Sequence, residues 1–115
     1  MSEHDEQAAL FQMLSFHPDL WVVFAVPNGG LRNKRNAVTL KREGVKAGVW
    51  DIFVPIPKGI YHGMWLEMKY GKNKLSEAQV LFGEQMERYG YRTDVAYSAD
   101  EAYVKIQNYL GVADE

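Results

Sequence analysis

No cysteine occurs in this 115-residue chain, which excludes disulfides and thiolate metal sites and makes a reducing cytosol its natural setting. No apolar run approaches the roughly 20 residues of a membrane-spanning helix, so no membrane association is expected. The opening Met1-Ser2-Glu3-His4-Asp5 is acidic and lacks the basic and apolar regions of a signal peptide, which again predicts a cytoplasmic protein. Histidine is scarce and scattered: His4, His17 and His62 show no zinc-ligand spacing and have no cysteine to join them. Internal repeats, low-complexity tracts and linkers are absent as well. What remains is one domain spanning 1–115, with 47% hydrophobic and 24% charged residues, ordinary for a globular protein.

Patterning predicts eight elements. An opening helix over Glu3–Ser15 carries Gln7, Leu10, Phe11 and Leu14 on one face, with Glu3 one turn before that stripe and Glu6 off it. Trp21–Val26 reads as a fully buried strand, followed by a loop at Pro27-Asn28-Gly29-Gly30. Asn36–Glu43 reads as a short helix closed by Gly44, with Lys41 and Arg42 in its last turn. A strand opens at Asp51 and stops at Pro55 and Pro57; Lys58–Gly63 is a hairpin-like loop, and Met64–Lys69 the return strand. Ser76-Glu77-Ala78-Gln79 is a capping box opening a helix to about Tyr89, with Gly90 after it. Tyr91–Tyr97 is a further strand. Ser98-Ala99-Asp100-Glu101 is a second capping box, for a last helix that Gly111 ends. The order α-β-α-β-β-α-β-α predicts an α/β fold, a mixed sheet flanked by helices. Trp21, Trp50 and Trp65 fall in strand-like segments, which points to core packing rather than base stacking.

The chemistry concentrates in the middle. Alternate residues of a strand share a face, so Glu67 and Lys69 point the same way. Pairing of the Asp51 strand with this one brings three charged groups onto an otherwise apolar patch. Burying charge is costly unless the groups pair or bind a metal. The net charge is only −2, yet Arg32 to Lys74 holds ten of the thirteen Lys and Arg against three of the fifteen acids, a local excess of seven positive charges. A basic zone around a small acidic centre suits a metal-dependent enzyme acting on phosphodiesters. Gly71-Lys72 does not extend this to a phosphate-binding P-loop, because Leu66 stands where glycine is required and Asn73 where Ser or Thr is.

An aspartate opening one strand and Glu-x-Lys inside the next, in this order of elements, resembles the PD-(D/E)XK nuclease superfamily with its restriction-endonuclease-like fold. The closer resemblance is to the VRR-NUC family (virus-type replication-repair nucleases). It covers nearly the whole chain: the first helix with Glu3 and Gln7, the loop Pro27–Gly30, Gly44-Val45-Lys46-Ala47-Gly48 before Asp51, Glu67-Met68-Lys69, and Gln79. Trp50 stands where the family usually has proline; that proline shapes backbone and binds nothing, so little loss is expected.

The resemblance implies Mg²⁺ or Mn²⁺ held by Asp51, Glu67 and the Met68 carbonyl, with Glu3 a better candidate than Glu6 for a further ligand. Hard cations favour such oxygen ligands. It also gives Lys69 the part of positioning or deprotonating the attacking water, although Lys69 could simply pair with an acid. Burial lowers a lysine's proton affinity and neighbouring carboxylates raise it. Gln79 has two readings, cap residue and site residue. Asn28, Arg32, Lys34, Arg35, Lys46, Lys72 and Lys74 are expected phosphate contacts. The implied activity is a structure-specific DNA endonuclease, leaving a 5′-phosphate and a 3′-hydroxyl, with branched or four-way junction DNA as substrate. One site per chain and two symmetric cuts per junction point to a homodimer. The alternatives are a monomeric nickase or flap nuclease and a non-catalytic nucleic-acid-binding module.

Overall fold

Ser2 and Asp5 start the first helix by satisfying each other's open amides: the Ser2 hydroxyl accepts from the Asp5 N–H, and the Asp5 carboxylate from the Ser2 N–H. Helix α1 then runs Glu3–Leu14. Leu10 and Leu14 are buried and Gln7 and Phe11 half-buried, the stripe the spacing predicts. The computed structural model describes residues 2–27 and 34–111. Asn28 and Arg32 lie outside these. Lys34 and Arg35 open helix α2 (Lys34–Arg42), but their side chains are likewise outside the description.

The run Trp21–Val26 is not one buried strand. Pro18–Val22 forms a 3₁₀ helix, and only Phe24–Ala25 (β1) pairs with the sheet. Proline suits a helix start because its fixed φ fits and its missing N–H would have had no partner there. A continuous apolar run cannot be told from a helical segment by periodicity alone. Trp21 therefore is not core: it is 83% exposed.

Strands β2 (Ile52–Val54), β3 (Met64–Met68) and β4 (Arg92–Ala96) complete a four-stranded mixed sheet in the order β1-β2-β3-β4. The first three are antiparallel, and β4 runs parallel to β3. A parallel partner needs a crossover, which helix α3 (Glu77–Arg88) supplies. Its capping box forms as expected, with Ser76 accepting from the Gln79 N–H and Gln79 Oε1 from the Ser76 N–H.

The last helix, α4 (Ala99–Leu110), forms only half of its expected box. Ser98 accepts from the Glu101 N–H, but the Glu101 carboxylate turns to the Tyr97 amide and to Lys105. Glu6 of α1 instead satisfies the first open amide of the helix itself, accepting from the Ala99 N–H at 2.8 Å. That bond ties the two helices of one layer together.

Met64, Leu66 and Met68 point into the main core with Leu10, Leu14, Ile52, Ala102 and Ile106. The alternate residues Trp65 and Glu67 face α3, where Trp65 meets Phe82 edge-on. The site thus occupies the sheet face opposite the main core. Leu66→Ala, at a fully buried position, is expected to lower stability by about 2–5 kcal/mol, read as a lower urea midpoint at unchanged slope. Among the described residues no helix is long and apolar enough to cross a membrane.

Candidate active site

β3 is flanked by β2 on one side and β4 on the other, so Glu67 cannot be an edge-strand residue facing solvent. It is only 2% exposed. Lys69 follows the last strand residue, and its N–H still bonds the Ala96 carbonyl, so strand geometry continues through it. The alternation expected from sequence therefore holds: Lys69 Nζ lies 3.4 Å from Glu67 Oε2.

Asp51 sits one residue before β2 and is stitched to β3 from both of its ends. Its N–H donates to Glu67 Oε1 at 3.0 Å, and its Oδ2 accepts from the Met68 N–H at 3.0 Å. In an extended strand a residue's N–H and C=O project to the same side. The Met68 carbonyl therefore faces the same side as Asp51, although its side chain is buried on the other face of the sheet. Glu3, in the first turn of α1, completes the cluster: one carboxylate oxygen each from Glu3, Asp51 and Glu67 fall within 4.8 Å of one another. Glu6 is occupied at Ala99 and does not join them.

Burial pushes the Glu67 carboxyl up to about 8 from an ordinary 4.5, and the Asp51 carboxylate adds to it. Lys69 and the amide of Asp51 pull the other way without cancelling the rise. The patch holds more carboxylate than its own cation can neutralise.

Both readings of Gln79 apply. While its Oε1 caps α3, its Nε2 donates to Glu67 Oε2 at 2.9 Å. Lys46, Lys72 and Lys74 are exposed, Lys72 and Lys74 in the turn that follows Lys69. Among the described residues the histidines join no cluster of potential metal ligands, and His17 instead shares a 2.6 Å hydrogen bond with Tyr103. Two clefts of about 250 and 270 Å³ open beside Arg92 and Asn108, at the other end of β3 and β4.

One contact had no visible signal in the Asp51–Lys69 pattern: Trp50 is buried, as expected, but its indole N–H also donates to the Gln79 main-chain carbonyl at 2.8 Å. The trace it leaves is Gly83, a glycine inside an otherwise ordinary helix.

No protein-family profile and no curated protein matches this sequence. Among solved structures, a VRR_NUC domain protein superposes with a TM-score of 0.83, covering 97% of this chain and 90% of that one at 27% identity. This chain thus shares its restriction-endonuclease-like fold with a VRR_NUC domain protein over almost the full length of both.

Proposed function

We propose that this protein is a nuclease that hydrolyses DNA phosphodiesters with a divalent cation and, as a homodimer, cuts branched DNA such as four-way junctions. The observation that carries this reading is the convergence of Glu3, Asp51 and Glu67 within 4.8 Å, with Lys69 3.4 Å from Glu67. Kinship with a VRR_NUC domain protein supports it.

The residues present fit a hard cation. Three carboxylates share one patch, and burial makes the most enclosed of them costly to ionise without further positive charge. Asp51, Glu67, Glu3 and the Met68 carbonyl would hold Mg²⁺ or Mn²⁺, all oxygen donors as these ions prefer. When bound, such an ion supplies Lewis acidity to the phosphodiester and lowers the pKa of water.

The chain's own groups do the rest. Gln79 and the Asp51 amide hold both oxygens of Glu67, fixing its rotamer. Lys69 points its ammonium at the carboxylates, where it orients the attacking water and manages its proton. Lys46, Lys72 and Lys74, together with Asn28, Arg32, Lys34 and Arg35, grip phosphates without reading bases, so affinity falls steeply with salt. Branched DNA follows from the two symmetric cuts a two-fold dimer can make.

The test compares wild type with Asp51→Ala and Lys69→Ala on junction, flap and linear DNA, in Mg²⁺ or Mn²⁺ and in EDTA, alongside gel filtration. Paired cuts on junctions by a dimeric wild type, absent in EDTA and in both variants, are the expected result. Nicking that persists unchanged in both variants excludes the site. Cleavage by a monomer that prefers flaps or linear DNA keeps the site and overturns the junction substrate.

A further inference from the structure

Trp50 is 3% exposed, yet it lies outside the main apolar core, on the side of helix α3. Its ring rests on Gly83, where an added β-carbon would come within 2.6 Å of Cζ2. Glycine inside a helix weakens it, so the closeness of the indole is the physical reason for glycine there. The neighbouring backbone is pressed onto the same helix: Gly48 has φ +86°, and a β-carbon there would meet the Ala78 carbonyl oxygen at 2.4 Å. Only glycine combines that conformation with that approach.

The indole N–H donates to the Gln79 carbonyl at 2.8 Å. Gln79 Nε2 donates to Glu67 Oε2, and Glu67 Oε1 accepts from the amide of Asp51, the residue next to Trp50. These bonds close a ring through Trp50, Gln79, Glu67 and Asp51. Ser76 anchors the same glutamine at both its amide and its side-chain oxygen. Every member except Trp50 either carries a site carboxylate or touches one.

We infer that Trp50 is a positioning residue: through its indole N–H it locks the turn before Asp51 to the helix bearing Gln79, setting the spacing between the Asp51 and Glu67 carboxylates. The inference rests on the metal-site reading above. Removing the N–H opens the ring at a point that touches no ligand, so the cost falls on how well the carboxylates are preset for a cation. Outer partners of this kind change metal affinity by about 10- to 100-fold.

The test uses Trp50→Phe, which keeps an aromatic ring at this position but loses the N–H donor together with the outer part of the indole that rests on Gly83. A second variant, Gly83→Ala, pushes the intact indole away from its partner and favours the helix. Mn²⁺ binding is measured by calorimetry, cleavage is followed across Mn²⁺ concentrations, and melting is recorded in EDTA. Both variants are expected to bind Mn²⁺ about 10- to 100-fold more weakly, and to recover cleavage to within about threefold of wild type at saturating Mn²⁺. Their melting curves in EDTA stay cooperative; if Trp50→Phe does not fold, Gly83→Ala carries the comparison. Unchanged Mn²⁺ affinity in the folded variants overturns the inference and leaves Trp50 a packing residue. That result differs from failure of the metal site itself, in which wild type takes up no Mn²⁺ and both readings fall together.

Discussion

Asp51→Asn is expected to abolish metal-dependent cleavage and, at pH 8 in EDTA, to melt at a higher temperature than wild type. The two effects have one cause. Asparagine can still accept from the Met68 N–H, so the stitch between strands survives, while the charge that repels Glu67 is gone. A metal's charge stabilisation of the transition state is worth several kcal/mol, so its loss costs on the order of 10³-fold in rate. The stability sign follows from protonation. With its pKa raised from 4.5 to about 8, Glu67 keeps a proton in the folded chain that the unfolded chain has already released. Stability is therefore full below about pH 4.5 and is lost as pH rises through about 8. Without Asp51's charge this slope flattens, and the gain at pH 8 is about 1 kcal/mol, roughly 4 °C. Melting curves from pH 5 to 9 in EDTA check this, and Mn²⁺ should raise the wild-type curve only. A wild-type profile that is flat across this window, or an asparagine variant less stable at pH 8, contradicts the electrostatic account.

Lys69→Ala is expected to reverse the stability effect while also removing activity. Its ammonium lies 3.4 Å from Glu67 Oε2 with the side chain only 12% exposed. Taking it away leaves two carboxylates facing each other, and Glu67 is driven further toward its neutral form. Stability in EDTA should fall by up to about 3 kcal/mol, less than an unrelieved buried charge would cost because Glu67 can keep its proton. Cleavage should drop about 10²- to 10⁴-fold, the range for a group that moves or orients a proton. Mn²⁺ should still bind, since every proposed ligand remains. Calorimetry beside the cleavage assay separates the two variants: alanine at 69 loses rate and keeps metal, whereas asparagine at 51 loses both. Loss of metal in both would make Lys69 part of the site's architecture rather than of its chemistry.

Much of this site was legible because its signals are local. Glu67 and Lys69 share a face by the two-residue period of a strand, and Trp65-Leu66 and Met68 marked that strand as buried on both sides. Ser76 and Gln79 announced the start of α3 by their spacing. Trp21–Val26 does not form the strand expected of it, because apolar content without periodicity does not separate strand from helix and Pro18 starts a 3₁₀ helix there. Ser98 and Glu101 had the spacing of a box, but Glu101 found Tyr97 and Lys105 instead, and Glu6 arrived from 93 residues away.

The order of elements, the shared face of Glu67 and Lys69, and the basic zone from Arg32 to Lys74 were determined by sequence alone, because backbone period, turn residues and charge are properties of neighbours along the chain. Tertiary structure decided that the start of α1 comes to rest beside Asp51 and Glu67, bringing Glu3 to them, that Gln79 serves both its helix and Glu67, and that Trp50 reaches the backbone of α3. Each of those depends on where a distant segment comes to rest, which packing in three dimensions sets and local spacing does not encode.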